Sequence, residues 1–126
     1  MPGNSRPTRI GLAAIVLLTA VSASFAGGAD VEDVSITKTG ENFSFEVTVR
    51  HADTGWQHYA DKWEIVASDG QVLGTRILHH PHVDEQPFTR SLSGVKIPPH
   101  ITHVTIRAYD SRHGRGGKMV TVPVPH

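Results

Sequence analysis

A chain of 126 residues with 12 basic and 12 acidic side chains and no formal net charge has no electrostatic reason to seek nucleic acid or anionic lipid. It contains no cysteine, which removes disulfides, thiolate nucleophiles, iron–sulfur clusters and Cys-type zinc sites. It does contain nine histidines.

Residues 1–26 read as a secretory signal peptide. Arg6 and Arg9 stand without an acid, the apolar run Ile10–Val21 falls short of the roughly 20 residues a bilayer span needs, and Ser24-Phe25-Ala26 offers small side chains at a cleavage site. Cutting after Ala26 is expected to leave residues 27–126 as one exported domain, periplasmic or extracellular. No stable membrane anchor is expected to remain, because there is no cysteine to carry lipid.

Beyond residue 27 the apolar pattern has period two, and no segment keeps a helical period over three turns. Val34–Thr37 reads as a first strand and Phe43–Arg50 as a second, with Phe43, Phe45, Val47 and Val49 on one face. Lys62–Ala67 follows, offering Trp63 and Ile65 to a core, and Ser68-Asp69-Gly70 turns the chain. In a fourth strand, Val72–Leu78, either Leu73/Ile77 or Val72/Leu78 is a credible inner face. Phe88–Leu92, Val104–Ala108 and Met119–Val124 complete seven strands, with Pro123 suited to an edge or strand end. Seven short strands with turn signals between them predict an all-β, antiparallel sandwich of immunoglobulin or fibronectin type III kind.

If consecutive strands alternate in direction, the connections Arg50–Asp61, His79–Pro87 and Asp110–Gly117 meet at one pole. These carry His51, Asp53, His58 and Asp61; His79, His80, His82, Asp84 and Glu85; and Asp110 and His113. Six of the nine histidines then share one end of the molecule. Loops held by a rigid scaffold are common sites of binding residues. Pro81 disfavours helical geometry at His80, so residues 80–82 should be extended and should present His80 and His82 to the same side. The pair is a candidate bidentate unit, with His58, His113 or His51 as further ligands. Glu85, Asp84 or Asp61 would ligate or orient an imidazole. Imidazole and carboxylate donors suit Cu2+ or Zn2+, whereas Cu+ favours sulfur.

The strings HADTGWQHYADKWEIV, LHHPHVDEQPFTRSLSGV and DSRHG resemble a group of small exported bacterial proteins with an immunoglobulin-like sandwich. The likeness covers the whole domain and implies no particular activity. Superoxide reductase and the CopC-like copper carriers are analogies of fold alone. The former needs a cysteine ligand that this chain lacks.

Two functions are expected to compete. The first is a metal-binding protein, a carrier, buffer or sensor of Cu2+ or Zn2+, with His51, His58, His80, His82, His113 and Glu85 as candidate ligands. The second is a recognition module that binds a protein or small ligand through the same loops, with Trp56, Tyr59 and Phe88 as anchors and no need for metal. An enzyme is not expected. Three histidines with an open position could activate water on a metal, but no serine or cysteine nucleophile constellation is legible.

Overall fold

Phe43, Phe45, Val47 and Val49 alternate with Ser44, Glu46 and Thr48. In the computed structural model, which describes residues 28–126, all four lie in the core, none more than 2% exposed. The expected signal peptide over residues 1–26 lies outside the described residues. Eight strands follow one another: β1 (Asp30–Thr39), β2 (Asn42–Arg50), β3 (Ala60–Ala67), β4 (Val72–Ile77), β5 (Phe88–Val95), β6 (His103–Asp110), β7 (Gly114–Arg115) and β8 (Val120–Pro123). One sheet has the order β1-β2-β5. The other runs β4-β3-β6, with β7 and β8 both paired to the free side of β6. All pairings are antiparallel. The fold is the expected β-sandwich, and β4 lies beside β3, as in the fibronectin type III arrangement.

The eighth strand comes from an interruption. β7 meets Tyr109 and Asp110 and β8 meets His103–Ile106, so the two are one strand along β6. Between them the chain leaves β6 to hold the start of β1. Val31 N donates to Lys118 O at 2.8 Å, and Lys118 N donates to Asp30 Oδ1 at 2.7 Å. Gly117 makes this crossing feasible, because a Cβ there would lie 1.9 Å from the Ala29 carbonyl oxygen.

The two credible inner faces of β4 are reconciled by a bulge. Ile65 pairs with Gly74 but Val66 pairs with Val72, leaving Leu73 as the extra residue. A bulge switches the side to which the following residues point. Leu73 therefore packs against the core while Val72 is exposed, and beyond the bulge Leu78 is buried while Ile77 is exposed. A similar shift in β1, between Val31 and Asp33, lets Val31 and Val34 both face inward. Trp63 of β3 is wholly buried at the centre of the core, as its place on the third strand predicts.

Strand alternation also delivers the pole. Leu78 N donates to Asp61 O and Ser111 N donates to Tyr59 O, so the connections after β2, β4 and β6 adjoin at one end.

Gly117→Ala is expected to destabilise the domain by about 2 kcal/mol or more, because a backbone atom, not a movable side chain, occupies the space a Cβ needs. A fall in the urea midpoint of unfolding with unchanged slope is the measurement.

Candidate metal centre

Asp110 ends β6, opposite Ala60 of β3, and its side chain is wholly buried. The chain turns immediately after it. The backbone N–H groups of Arg112 and His113 both donate to Asp110 Oδ1, at 2.7 and 2.6 Å. An Asp that caps the turn following its own strand is local chemistry of the kind that favours Asp in turns. The other oxygen is where distant parts of the chain meet. His51 Nε2 and His58 Nε2, from the loop after β2, each lie 3.2 Å from Asp110 Oδ2, and His113 Nδ1 lies 3.0 Å from it. The rings pack edge to face, with centroids 4.8 Å apart for His51 and His58 and 5.0 Å for His58 and His113.

His51 is held from behind. Its Nδ1 lies 2.6 Å from Oδ1 of Asp53, another wholly buried carboxylate. Asp53 also accepts the N–H of Ala60 at 3.1 Å and of His82 at 2.7 Å. Backbone N–H groups can only donate, so Asp53 acts as an acceptor on both oxygens and the proton between it and His51 sits on Nδ1. His51 Nε2 then faces Asp110 Oδ2, as a donor while it carries a proton and with a lone pair once that proton is displaced. A carboxylate behind one imidazole nitrogen, which leaves the other as the coordinating atom, is the arrangement that orients histidine ligands in metalloproteins.

The electrostatics of Asp110 decide between opposed effects. Burial pushes its carboxyl up. The backbone and side-chain hydrogen bonds from His113, the N–H of Arg112 and the imidazole of His58 outweigh this and hold it far below the usual carboxylate range. A carboxylate offers about four lone-pair sites. Two backbone N–H groups and three imidazole nitrogens surround this one, and three of the five crowd a single oxygen.

His51, His58 and Asp110 present ligand atoms within 4.8 Å of one another, and this group could hold a metal ion. In a tetrahedral site with ligands 2.0–2.1 Å from zinc, neighbouring ligand atoms are ~3.3 Å apart. The three distances to Asp110 Oδ2, 3.0 to 3.2 Å, are close to that edge. His51 and Asp110 are buried, whereas the His58 and His113 side chains are 19% and 42% exposed. The cluster therefore opens to solvent past His113.

His80, His82 and Glu85, candidate ligands by their place in the second loop, form a different group. His80 and His82 do lie side by side, ring centroids 4.7 Å apart, as extended residues two apart should. His82, however, is buried flat against Phe88, with ring centroids 3.9 Å apart. Arg90 donates to its Nε2 at 2.9 Å and also to Glu85 at 3.3 Å. Arginine has no acceptor, so the His82 proton is on Nδ1, and neither nitrogen presents a lone pair to an ion. Burial first, then the charge of Arg90, moves the His82 pKa down. His80 is exposed, with Nδ1 3.0 Å from Pro81 O. The role of the second loop at the cluster is support: His82 N holds Asp53, and Gln86 Oε1 accepts the His51 N–H at 2.9 Å. The residues absent from the sequence-derived ligand set are Asp53 and Asp110. The one signal for them was local, a carboxylate two or three residues from a loop histidine.

No protein-family model matches this chain, and no solved structure matches it. A curated relative is found in Halomicrobium mukohataei. It is described as a "Putative lipoprotein" and is 39% identical over 95 residues, which is 75% of this chain but 46% of the relative. The chain thus spans about half the length of the protein it matches.

The depressed Asp110 pKa carries a sign. The ionised group stabilises the fold above the unfolded carboxylate range, near its ordinary 3.8, and that stabilisation fades as pH falls below it. The stability difference between wild type and Asp110→Asn should be full at pH 5 to 7 and shrink below about pH 4. Urea midpoints across that range measure it.

Proposed function

We propose that this is an exported metal-binding protein, a carrier, buffer or sensor, that holds one Cu2+ or Zn2+ ion through His51, His58, His113 and Asp110. The observation that carries the reading is the convergence of three imidazole nitrogens on one buried carboxylate oxygen, with Asp53 holding the His51 ring so that Nε2 faces it. Three imidazole nitrogens crowded on one buried carboxylate oxygen need protons or a cation between them and it. A divalent ion would satisfy His51, His58 and Asp110 at once, with His113, 3.0 Å from the same oxygen, as a further donor. The donor set, nitrogen and oxygen without sulfur, suits Cu2+ and Zn2+.

Export is supported by the leader-like composition of residues 1–26 and by the description of the Halomicrobium relative as a putative lipoprotein. The 126 residues hold no cysteine, so the proposal takes export, and not lipid attachment, from that name. The reading is one of binding and not of catalysis.

A second reading keeps one specific observation. Trp56, on the same loop as His51 and His58, is 67% exposed and packs edge to face on Tyr59, ring centroids 5.6 Å apart. An exposed tryptophan beside the cluster suits an anchor for a partner protein. Metal binding and partner capture would then share one pole.

Titration of the purified domain with Cu2+ or Zn2+ tests the proposal, and one equivalent should bind. His51→Ala and Asp110→Ala should each abolish stoichiometric binding. Asp53→Ala should weaken it by about 10- to 100-fold, the usual effect of removing a group that orients a ligand. The His80→Ala/His82→Ala pair should leave the stoichiometry intact. Imidazoles ligate only when unprotonated, so affinity should fall steeply on acidification through about pH 6. Absence of saturable binding, or loss of binding in the His80/His82 pair alone, rejects this ligand set.

A further inference from the structure

This inference rests on the metal reading above and adds the charge of the ion that the site accepts. Asp53 and Asp110, both with wholly buried side chains, flank His51 on opposite sides of its ring. Each receives backbone N–H groups that can only donate: Ala60 and His82 on Asp53, Arg112 and His113 on Asp110. Their ion-pair partners are imidazoles, which are neutral when they ligate a metal. With its imidazoles neutral, as ligation requires, the site therefore carries two negative charges before the ion is counted. A divalent cation brings it to zero, whereas a monovalent cation leaves one negative charge uncompensated in a buried environment, a strongly unfavourable state.

Asp61 is within electrostatic reach of both Asp110 and His51 and is partly buried, and burial pushes its carboxyl up. The Lys62 ammonium also acts on Asp61 and offsets the charge that Asp61 keeps, so the count rests on Asp53 and Asp110. Donor chemistry agrees with the charge count, since imidazole and carboxylate suit Cu2+ and Cu+ favours thiolate or thioether. The chain has two methionines and no cysteine, and among the described residues the only sulfur is that of Met119, in the crossing between β7 and β8.

We propose that the paired carboxylates make the site a discriminator of ion charge, which holds Cu2+ or Zn2+ and discharges copper when a one-electron reductant such as ascorbate converts Cu2+ to Cu+. One electron passes from the reductant to the metal, the reductant is oxidised by one electron, and only metal–ligand bonds break. Asp53, which does not touch the ion, acts as a positioning residue and as half of the site's charge. A protein with this property carries the oxidised ion and releases copper where an electron donor is met.

The experiment compares affinities of the purified domain for Cu2+, Zn2+ and, under argon, Cu+ in competition with a chromophoric Cu+ chelator. Cu+ should bind at least about a hundredfold more weakly than Cu2+. Ascorbate should move copper from the loaded protein to the chelator and leave bound Zn2+ in place. Asp53→Asn, which removes one charge at nearly constant shape, should narrow the ratio of Cu2+ to Cu+ affinity, with its fold checked by circular dichroism. A general loss of structure would weaken both ions alike and leave the ratio unchanged. If the variant does not fold, the wild-type ratio decides alone. Equal affinity for Cu2+ and Cu+, or an unchanged ratio in a folded Asp53→Asn, overturns charge discrimination while leaving the metal site standing. Failure of Cu2+ and Zn2+ to bind at all overturns both.

Discussion

The buried carboxylate of Asp110 is the point on which this pole of the molecule depends. It sits at the last residue of β6, where the strand still pairs with Ala60 of β3, and it is wholly withdrawn from water. Such a group persists in ionised form only when surrounding donors replace the lost hydration. Three of those partners are local, the N–H groups of Arg112 and His113 in the turn that follows and the His113 imidazole. The others arrive from a loop more than fifty residues earlier in the chain. The same demand for compensation therefore closes the turn after β6 and fixes the loop after β2 against it.

Asp53 extends the arrangement outward. With one oxygen it takes His51 and Ala60, with the other His82, so it ties the first loop to itself, to the start of β3 and to the second loop. Gln86 adds a parallel link, accepting from His51 N and donating from its amide to His82 O at 2.9 Å. The second loop thus encloses the cluster without offering it a ligand. Its own polar groups are turned to other uses: Arg90 holds His82 and Glu85, and Phe88 carries the His82 ring. The gathering of histidines at one pole consequently divides in two: His51, His58 and His113 meet at Asp110 Oδ2, and His82 serves as scaffold.

The outer face of the second sheet solves the charge problem differently. Burial pushes the Glu64 carboxyl up, but hydrogen bonds from Tyr109 at 2.8 Å and Arg107 at 3.1 Å more than offset it and hold it below its ordinary value. There a fixed cation supplies the compensation. At Asp110 only imidazoles are available, and an imidazole can be neutral. That difference separates a structural ion pair from a group that could hold a metal ion.

Much of the fold was legible in the sequence because alternation of apolar residues dictates both strand type and inner face, as in Phe43–Val49, and because seven alternating strands return every second connection to the same end. The gathering of His51, His58 and His113 followed from direction alone. Legibility stopped where position depends on a partner strand. The bulge at Leu73 reassigned the inner face of β4, and the close approach of Ala29 to Gly117 split the last strand. The roles of the histidines were likewise beyond sequence: His80 and His82 do stand together, yet Arg90, eight residues from His82, occupies the nitrogen a metal would need. The sequence by itself determined the sandwich, the shared pole and the sulfur-free donor chemistry, since these depend on local periodicity and residue type. Only the tertiary structure decided that Asp53 and Asp110 are buried and which imidazole nitrogens face them, because burial and lone-pair direction are properties of contacts between segments far apart in the chain.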